Sequence, residues 1–167
     1  MKEMNKIYSF INNISGDYMI KDIMSKKIIF SNIDSSIKDV SSLMKKNNIG
    51  FIPIKRNNEY VGVITDRDIC LSIPTLKSIN DSVKSYISNN IVCIGVNDNI
   101  ETALKLMGKY KVKRLLVKEK DNTIGVLSLS DILNYTNDNN LIDTYKSIFY
   151  IHDNQNKFTP EVDNFYL

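Results

Sequence analysis

The chain repeats itself. The segment from about Ile20 to Ile73 lies on Val83 to Thr136 at a constant shift, with no gap. Met24 falls on Ile87, Ile28 on Ile91, Ile37 on Ile100, and Leu43-Met44 on Leu106-Met107. The best match sets Gly62-Val63-Ile64-Thr65-Asp66-Arg67-Asp68-Ile69 against Gly125-Val126-Leu127-Ser128-Leu129-Ser130-Asp131-Ile132. About a dozen positions are identical, and most others exchange one apolar residue for another. That is the mark of one duplicated supersecondary unit, which must bury its apolar face against its copy. The matched polar residues are a hydroxyl and, three residues later, a carboxylate. A duplicated fold needs no particular polar pair, so Thr65 with Asp68, and Ser128 with Asp131, are candidates for a function.

Periodicity gives each copy the order β-α-β-β-α. In the first, a short helical turn (Tyr18 to Met24) precedes a strand near Ile28 to Ser31 and a helix from Ser35 to Lys46. Ile37, Val40, Leu43 and Met44 form the apolar stripe of that helix, and Asp34 or Ser35 is expected to cap it. Strands follow over Gly50 to Ile54 and Tyr60 to Ile64, then a helix from Thr65-Asp66 to about Leu71, stopped by Pro74. The second copy predicts a turn over Val83 to Ile87, a strand over Ile91 to Ile94, and a helix from Asp98 to Tyr110. Its hairpin pairs Lys113 to Val117 with Thr123 to Leu127, and a last helix runs from Ser128 to Tyr135. Met4, Ile7, Tyr8, Ile11 and Ile14 suggest an amphipathic helix ahead of the repeats, and Leu141 to Phe149 another behind them. The expected organisation is therefore 1–17, 18–75, 76–136 and 137–167, in an α/β (α+β) fold of two pseudo-symmetrically packed repeats with flanking helical segments.

Composition narrows the function. One histidine and two cysteines leave metal chemistry poorly supplied, and no two cysteines have zinc-ligand spacing. Cys70 and Cys93 read as reduced, packed thiols. A net charge of +3 without a dense basic run argues against nucleic-acid binding. No apolar run approaches a membrane span and no signal-peptide core is visible, so a cytoplasmic protein without membrane partners is expected. No nucleophile–base pair, metal set or Gly-rich phosphate loop stands out, which points away from an enzyme.

The element order, together with GVITDRDI and GVLSLSDI, resembles the CBS domain, named for cystathionine β-synthase; two such repeats form a Bateman module. Asp22-Ile23-Met24-Ser25 and Ile52-Pro53-Ile54 are similar to other parts of the family pattern, and the resemblance covers about residues 18 to 136. It implies a small stand-alone regulatory module with an adenosyl ligand (AMP, ADP, ATP or S-adenosylmethionine) bound in clefts between the repeats, and no required cofactor. Asp68 and Asp131 match the carboxylate that accepts from ribose hydroxyls. Thr65 and Ser128 match the hydroxyl near ribose and phosphate, where a helix start offers free N–H groups. Ile29, Phe30, Val92 and Cys93, with Val63 and Val126, would form the adenine slots. Lys113 and Arg114 stand where an energy-sensing kinase subunit of the family carries phosphate-facing residues. A homodimer is implied as well, with a protein target not named by the sequence.

Plainer readings stand beside these. Thr65-x-x-Asp68 and Ser128-x-x-Asp131 also fit simple helix caps. Lys113-Arg114 fits a solvated strand end, and Arg67 a surface residue. The first repeat has Gly50-Phe51 where the second has Lys113-Arg114, so the clefts are expected to be electrostatically lopsided. The alternative to a nucleotide sensor is an empty dimerisation or protein-interaction platform.

Overall fold

A computed structural model of the chain describes residues 19–136. Both flanking helical segments expected from the sequence lie outside the described residues. Within them the elements run α1 (Ile20–Ile23), β1 (Ser31–Asn32), α2 (Ile37–Asn47), β2 (Phe51–Arg56), β3 (Glu59–Thr65), α3 (Asp66–Ser72), β4 (Cys93–Gly95), α4 (Ile100–Tyr110), β5 (Arg114–Glu119), β6 (Asn122–Ser128) and α5 (Leu129–Thr136). Two three-stranded sheets form, ordered β1-β2-β3 and β4-β5-β6. In each, the short first strand is parallel to the second and the second is antiparallel to the third. The duplication extends to detail. A register irregularity falls between Ile54 and Lys55 in one sheet and between Val117 and Lys118 in the other.

The apolar stripes fold as their spacing requires. Ile37, Val40 and Met44 are buried from α2, with Leu43 packed against them, and Ile100, Ala103, Leu104 and Met107 are buried from α4. The cap of α2 differs from expectation. Ser36, not Asp34 or Ser35, closes the helix, accepting from the Asp39 N–H at 3.1 Å. Tertiary contacts choose it, since the Ser35 carbonyl accepts from Val83 N–H at 2.9 Å and the Ile33 carbonyl from Ser82 Oγ at 2.7 Å. Likewise Asn99 caps α4 by accepting from Thr102 N–H at 2.9 Å, while Asp98 turns back to Gly95 N–H at 2.8 Å. The hairpin turns are also tighter than read from sequence. Asn57 and Asn58 take φ values of 49° and 68°, a left-handed pair suited to a two-residue turn and tolerated by Asn.

Each repeat completes the core of the other. Ile20 and Ile23 of α1 are buried with Ile94, Leu104, Met107 and Leu127 of the second repeat, whereas Val83 is buried with Ile37, Val40, Ile52 and Ile64 of the first. Backbone bonds fix the exchange: Ile20 N–H to the Asp98 carbonyl at 2.9 Å, and Ile37 N–H to the Asp81 carbonyl at 3.0 Å. Farther along, Ser25 and Val126 exchange two N–H···O bonds of 2.9 Å each, and Val63 and Ser88 do the same. The otherwise open edges of β3 and β6 are thereby covered by the opposite repeat's leading segment. A reciprocal exchange of this kind relates the repeats by a pseudo-two-fold axis rather than by translation. Here the two glycines of the duplicated motif find their reason. A Cβ on Gly62 would lie 2.8 Å from the Ser88 carbonyl oxygen, and one on Gly125 2.9 Å from that of Ser25.

The expectation of two packed thiols holds for neither cysteine in full. Cys70 is exposed on α3 and Cys93 is half-buried; both are free. For Cys70 the cause is that α3 buries only Ser72, with Ile69 packed partly against the core, so most of its surface faces outward.

Candidate ligand-binding clefts

Each third strand runs directly into a helix, and the junction residue is the duplicated hydroxyl. Thr65 ends β3 and caps α3. Its Oγ1 accepts from Asp68 N–H at 3.2 Å and donates to Asp68 Oδ2 at 2.7 Å, while its own N–H donates to the same oxygen at 2.8 Å. Ser128 and Asp131 repeat this at the start of α5, with distances of 3.1, 2.7 and 2.7 Å. So do Ser36 and Asp39 on α2, at 3.1, 2.7 and 3.2 Å. Helix capping alone therefore accounts for the hydroxyl–carboxylate spacing. What sets the duplicated pairs apart is where they stand.

Two clefts open where the exchanged leading segments cross the sheets. The smaller, of about 250 Å³, is lined by Val126, Ser128 and Asp131 of the second repeat and by Ile29, Phe51 and Pro53 of the first. The larger, of about 590 Å³, is lined by Val63 and Thr65 of the first repeat with Val92 and Lys113 of the second. The two linings correspond through the repeat, as the pseudo-two-fold requires. Their chemistry is lopsided. The Thr65 cleft adds Arg67 and Lys111 to Lys113, opposed by Asp66, whereas the Ser128 cleft, apart from the shared Arg114, sets Lys27 against Asp131. Asp131 lines its cleft and spends only Oδ2 on the cap. Asp68 makes the same cap but is not among the residues lining the Thr65 cleft.

Arg114 lines both clefts, and so does Phe51. The two are repeat counterparts, and the guanidinium carbon of Arg114 sits 5.7 Å from the centroid of the Phe51 ring. In the sheets Arg114 is paired with Ser128 and Phe51 with Thr65. The Arg114 guanidinium thus sits against a ring that, like it, borders both clefts. The sequence marks Phe51 only as the uncharged counterpart of Arg114, not as a residue of the site. The signal was present in its registration on Arg114, which places both at the pseudo-axis.

Phe30 and Cys93 stand apart from the adenine slots expected of them. Ile29 and Val92 face the clefts, and their successors turn to the opposite side. Phe30 is nearly half exposed and packs edge-on against Tyr60, with ring centroids 6.4 Å apart at 88°, and the Lys55 ammonium lies 4.2 Å from its centroid. Cys93, with Lys55, Tyr60, Lys118 and Thr123, lines a third hollow of about 700 Å³ between the hairpins. Burial raises the pKa of both Tyr60 and Cys93, partly offset at Cys93 by the Lys118 charge. No cluster of three metal-ligating side chains occurs among the described residues, and none of their helices is long and apolar enough to cross a membrane.

Comparison with known proteins agrees with this architecture. The family model for the CBS domain matches twice, at residues 20–74 and 83–138. The chain is 29% identical over 114 residues to the CBS domain-containing protein YhcV of Bacillus subtilis, covering 68% of this chain and 81% of that one. An uncharacterized conserved protein from Pyrococcus horikoshii superposes with a TM-score of 0.67 at 25% identity, covering 73% of this chain and 94% of that chain. The CBS domain pair of protein MJ0100, solved in complex with 5′-methylthioadenosine and S-adenosyl-L-methionine, shares the fold with a TM-score of 0.65 at 22% identity, covering 73% and 98%. With both repeats matched and both folded as the sequence pattern required, the chain belongs to the CBS-domain family.

Proposed function

We propose that the chain is a regulatory module that binds an adenine nucleotide or another adenosyl ligand between its two repeats, and that it transmits occupancy rather than catalysing a reaction. One observation carries this reading: both clefts are walled by the two repeats together, and each holds one of the duplicated hydroxyls beside the shared Arg114. A ligand seated in such a cleft touches both repeats at once, so its binding free energy is coupled to how they pack. Asp131 keeps one carboxylate oxygen outside its cap, suited to accept from ribose hydroxyls. The apolar walls at Val126 with Ile29, and Val63 with Val92, suit a purine face. That a pair of the same fold holds methylthioadenosine and S-adenosylmethionine supports the ligand class.

The test is a thermal-shift screen of AMP, ADP, ATP, S-adenosylmethionine, NAD and cyclic dinucleotides. A ligand at one hundred times its Kd should add about 2.7 kcal/mol of stability. At least one adenosyl compound is expected to raise the melting temperature; no response to any of them at millimolar concentration overturns the proposal. The alternative, an interaction platform with empty clefts, is favoured by one observation of its own. Leu71, Ile73 and Ile79 are large apolar residues left mostly exposed. A cytoplasmic homodimer would reconcile the two readings, with the platform formed by α3 and the linker and the sensor formed by the clefts.

A further inference from the structure

We infer that Arg114 is a single charge serving two clefts: a phosphate-bearing ligand in the Thr65 cleft takes it up, weakening the binding of a second phosphate in the Ser128 cleft and leaving that cleft to an uncharged adenosyl compound. The inference rests on the ligand class proposed above and adds the division of labour between the sites.

Three observations carry it. First, the guanidinium stands between the clefts. Its backbone is paired with Ser128, its side chain lies over the ring of Phe51, and both residues line both cavities. The pseudo-two-fold calls for a second residue of this kind, and the sequence supplies a phenyl ring instead. Second, the remaining charge is unequal. Arg67, Lys111 and Lys113 wall the Thr65 cleft against one carboxylate, Asp66. Lys27 is matched by Asp131 in the Ser128 cleft, so without Arg114 that cleft carries no net positive charge. Third, the sizes differ in the same sense, about 590 Å³ against about 250 Å³. The larger has room for a phosphate tail and the smaller is close to the lower bound for a small-molecule site.

The energetics follow from charge. A nucleoside diphosphate brings at least two negative charges, which one guanidinium cannot neutralise twice. Arg recognises phosphate through a planar fork of donors, and a fork committed to one phosphate offers fewer donors to the next. The first ligand therefore meets a cation, and the second meets a cation already neutralised, with a like charge behind it. An uncharged nucleoside makes no demand on Arg114 and is indifferent to the neighbour's occupancy.

The experiment is isothermal titration of the full chain with ADP and with adenosine, for the wild type and for Arg114→Ala and Phe51→Arg. In the wild type, the ratio of the two stepwise affinities should be at least about tenfold larger for ADP than for adenosine, within the usual range of coupling between sites. Adenosine should still fill the remaining cleft of the ADP-loaded protein. Arg114→Ala should weaken the first ADP step about tenfold and the second less than about threefold. Phe51→Arg, which supplies the missing second guanidinium, should strengthen the second step. If Phe51→Arg does not fold, Arg114→Gln replaces it, with the outcome expected of Arg114→Ala. Equal ADP steps in the wild type, or equal weakening of both steps by Arg114→Ala, overturns the shared charge while leaving the ligand class standing. Binding of neither ADP nor adenosine overturns both.

Discussion

The same capping box closes three helices, at Ser36/Asp39, Thr65/Asp68 and Ser128/Asp131, and this turns an ambiguity into a measurement. If Asp131 serves only its helix, Asp131→Ala and Asp39→Ala should behave alike: both lose stability and neither changes ligand affinity. If Asp131 also holds a ribose, Asp131→Ala alone should weaken adenosine binding, by about 1.5–3 kcal/mol for lost hydrogen bonds to a charged acceptor. Calorimetry on the two variants separates the cases. Asp68→Ala should give an intermediate or smaller loss, because Asp68 does not line its cleft. The cap also leaves a pH signature. The Ser36 hydroxyl and N–H hold the Asp39 carboxyl below its ordinary value. A carboxylate with a lowered folded pKa contributes stability above the unfolded pKa, roughly pH 4, and loses it as pH falls further. Acid unfolding of Asp39→Ala should therefore be less steep on that limb than in the wild type. A limb of unchanged steepness would mean that the bond does not persist in solution. At this scale spacing alone decides the capping pairs, and it cannot choose between chemically equivalent neighbours. Asp34, Ser35 and Ser36 can all cap a helix, and only the contacts of Ser35 and Ile33 with the second repeat select the third.

At the scale of elements, the exchange of leading segments is what the duplicated glycines record. Gly62→Ala would set a methyl 2.8 Å from the Ser88 carbonyl oxygen, and Gly125→Ala would set one 2.9 Å from that of Ser25 and 2.7 Å from Met24 Sδ. Backbone bonded on both sides cannot retreat cheaply, so each variant should lose about 1–3 kcal/mol in urea unfolding. Gly50→Ala is the instructive contrast. Its nearest neighbour is the Asp66 carboxylate, which is exposed and swings into solvent, so the cost should stay near 0.5 kcal/mol. A larger loss at Gly50 than at Gly62 would contradict the exchange. This part of the fold was not legible in the sequence. Ile20, Ile23, Val83 and Ile87 carry the same apolar character whether they cover their own repeat or the other, and periodicity reports a buried face without naming its partner. The hairpins, by contrast, were placed closely, because alternation fixes strand faces locally. The turn-side ends of the first hairpin extend past the expected bounds, to Arg56 and back to Glu59, because Lys55, Arg56 and Glu59 are polar enough to pass for turn.

At the scale of the whole molecule, α3 is the sparsely covered element. The helix buries Ser72 alone, and Leu71, Ile73 and Ile79 are 64%, 61% and 56% exposed. The equivalent helix of the second repeat, α5, is anchored instead by Leu129 and Ile132, both buried. Among the described residues, the large aliphatic side chains left mostly exposed therefore lie at the end of the pair that carries α3. Large aliphatic side chains on a sparsely packed helix end are the ordinary material of a subunit contact, and a two-fold contact needs only one such patch, used twice. A homodimer through α3 is thus the expected assembly. Light scattering at micromolar concentration should give twice the monomer mass. The double variant Leu71→Asp, Ile73→Asp should give the monomer, since charge placed on both sides of a self-complementary patch repels itself and must also be desolvated. Both residues are solvent-facing within the protomer, so the variant should melt as a folded protein and keep its adenosine affinity within about twofold, because neither residue lines a cleft. A wild-type monomer would refute the assembly outright. A dimer that survives both substitutions would move the contact away from α3, whatever the clefts bind.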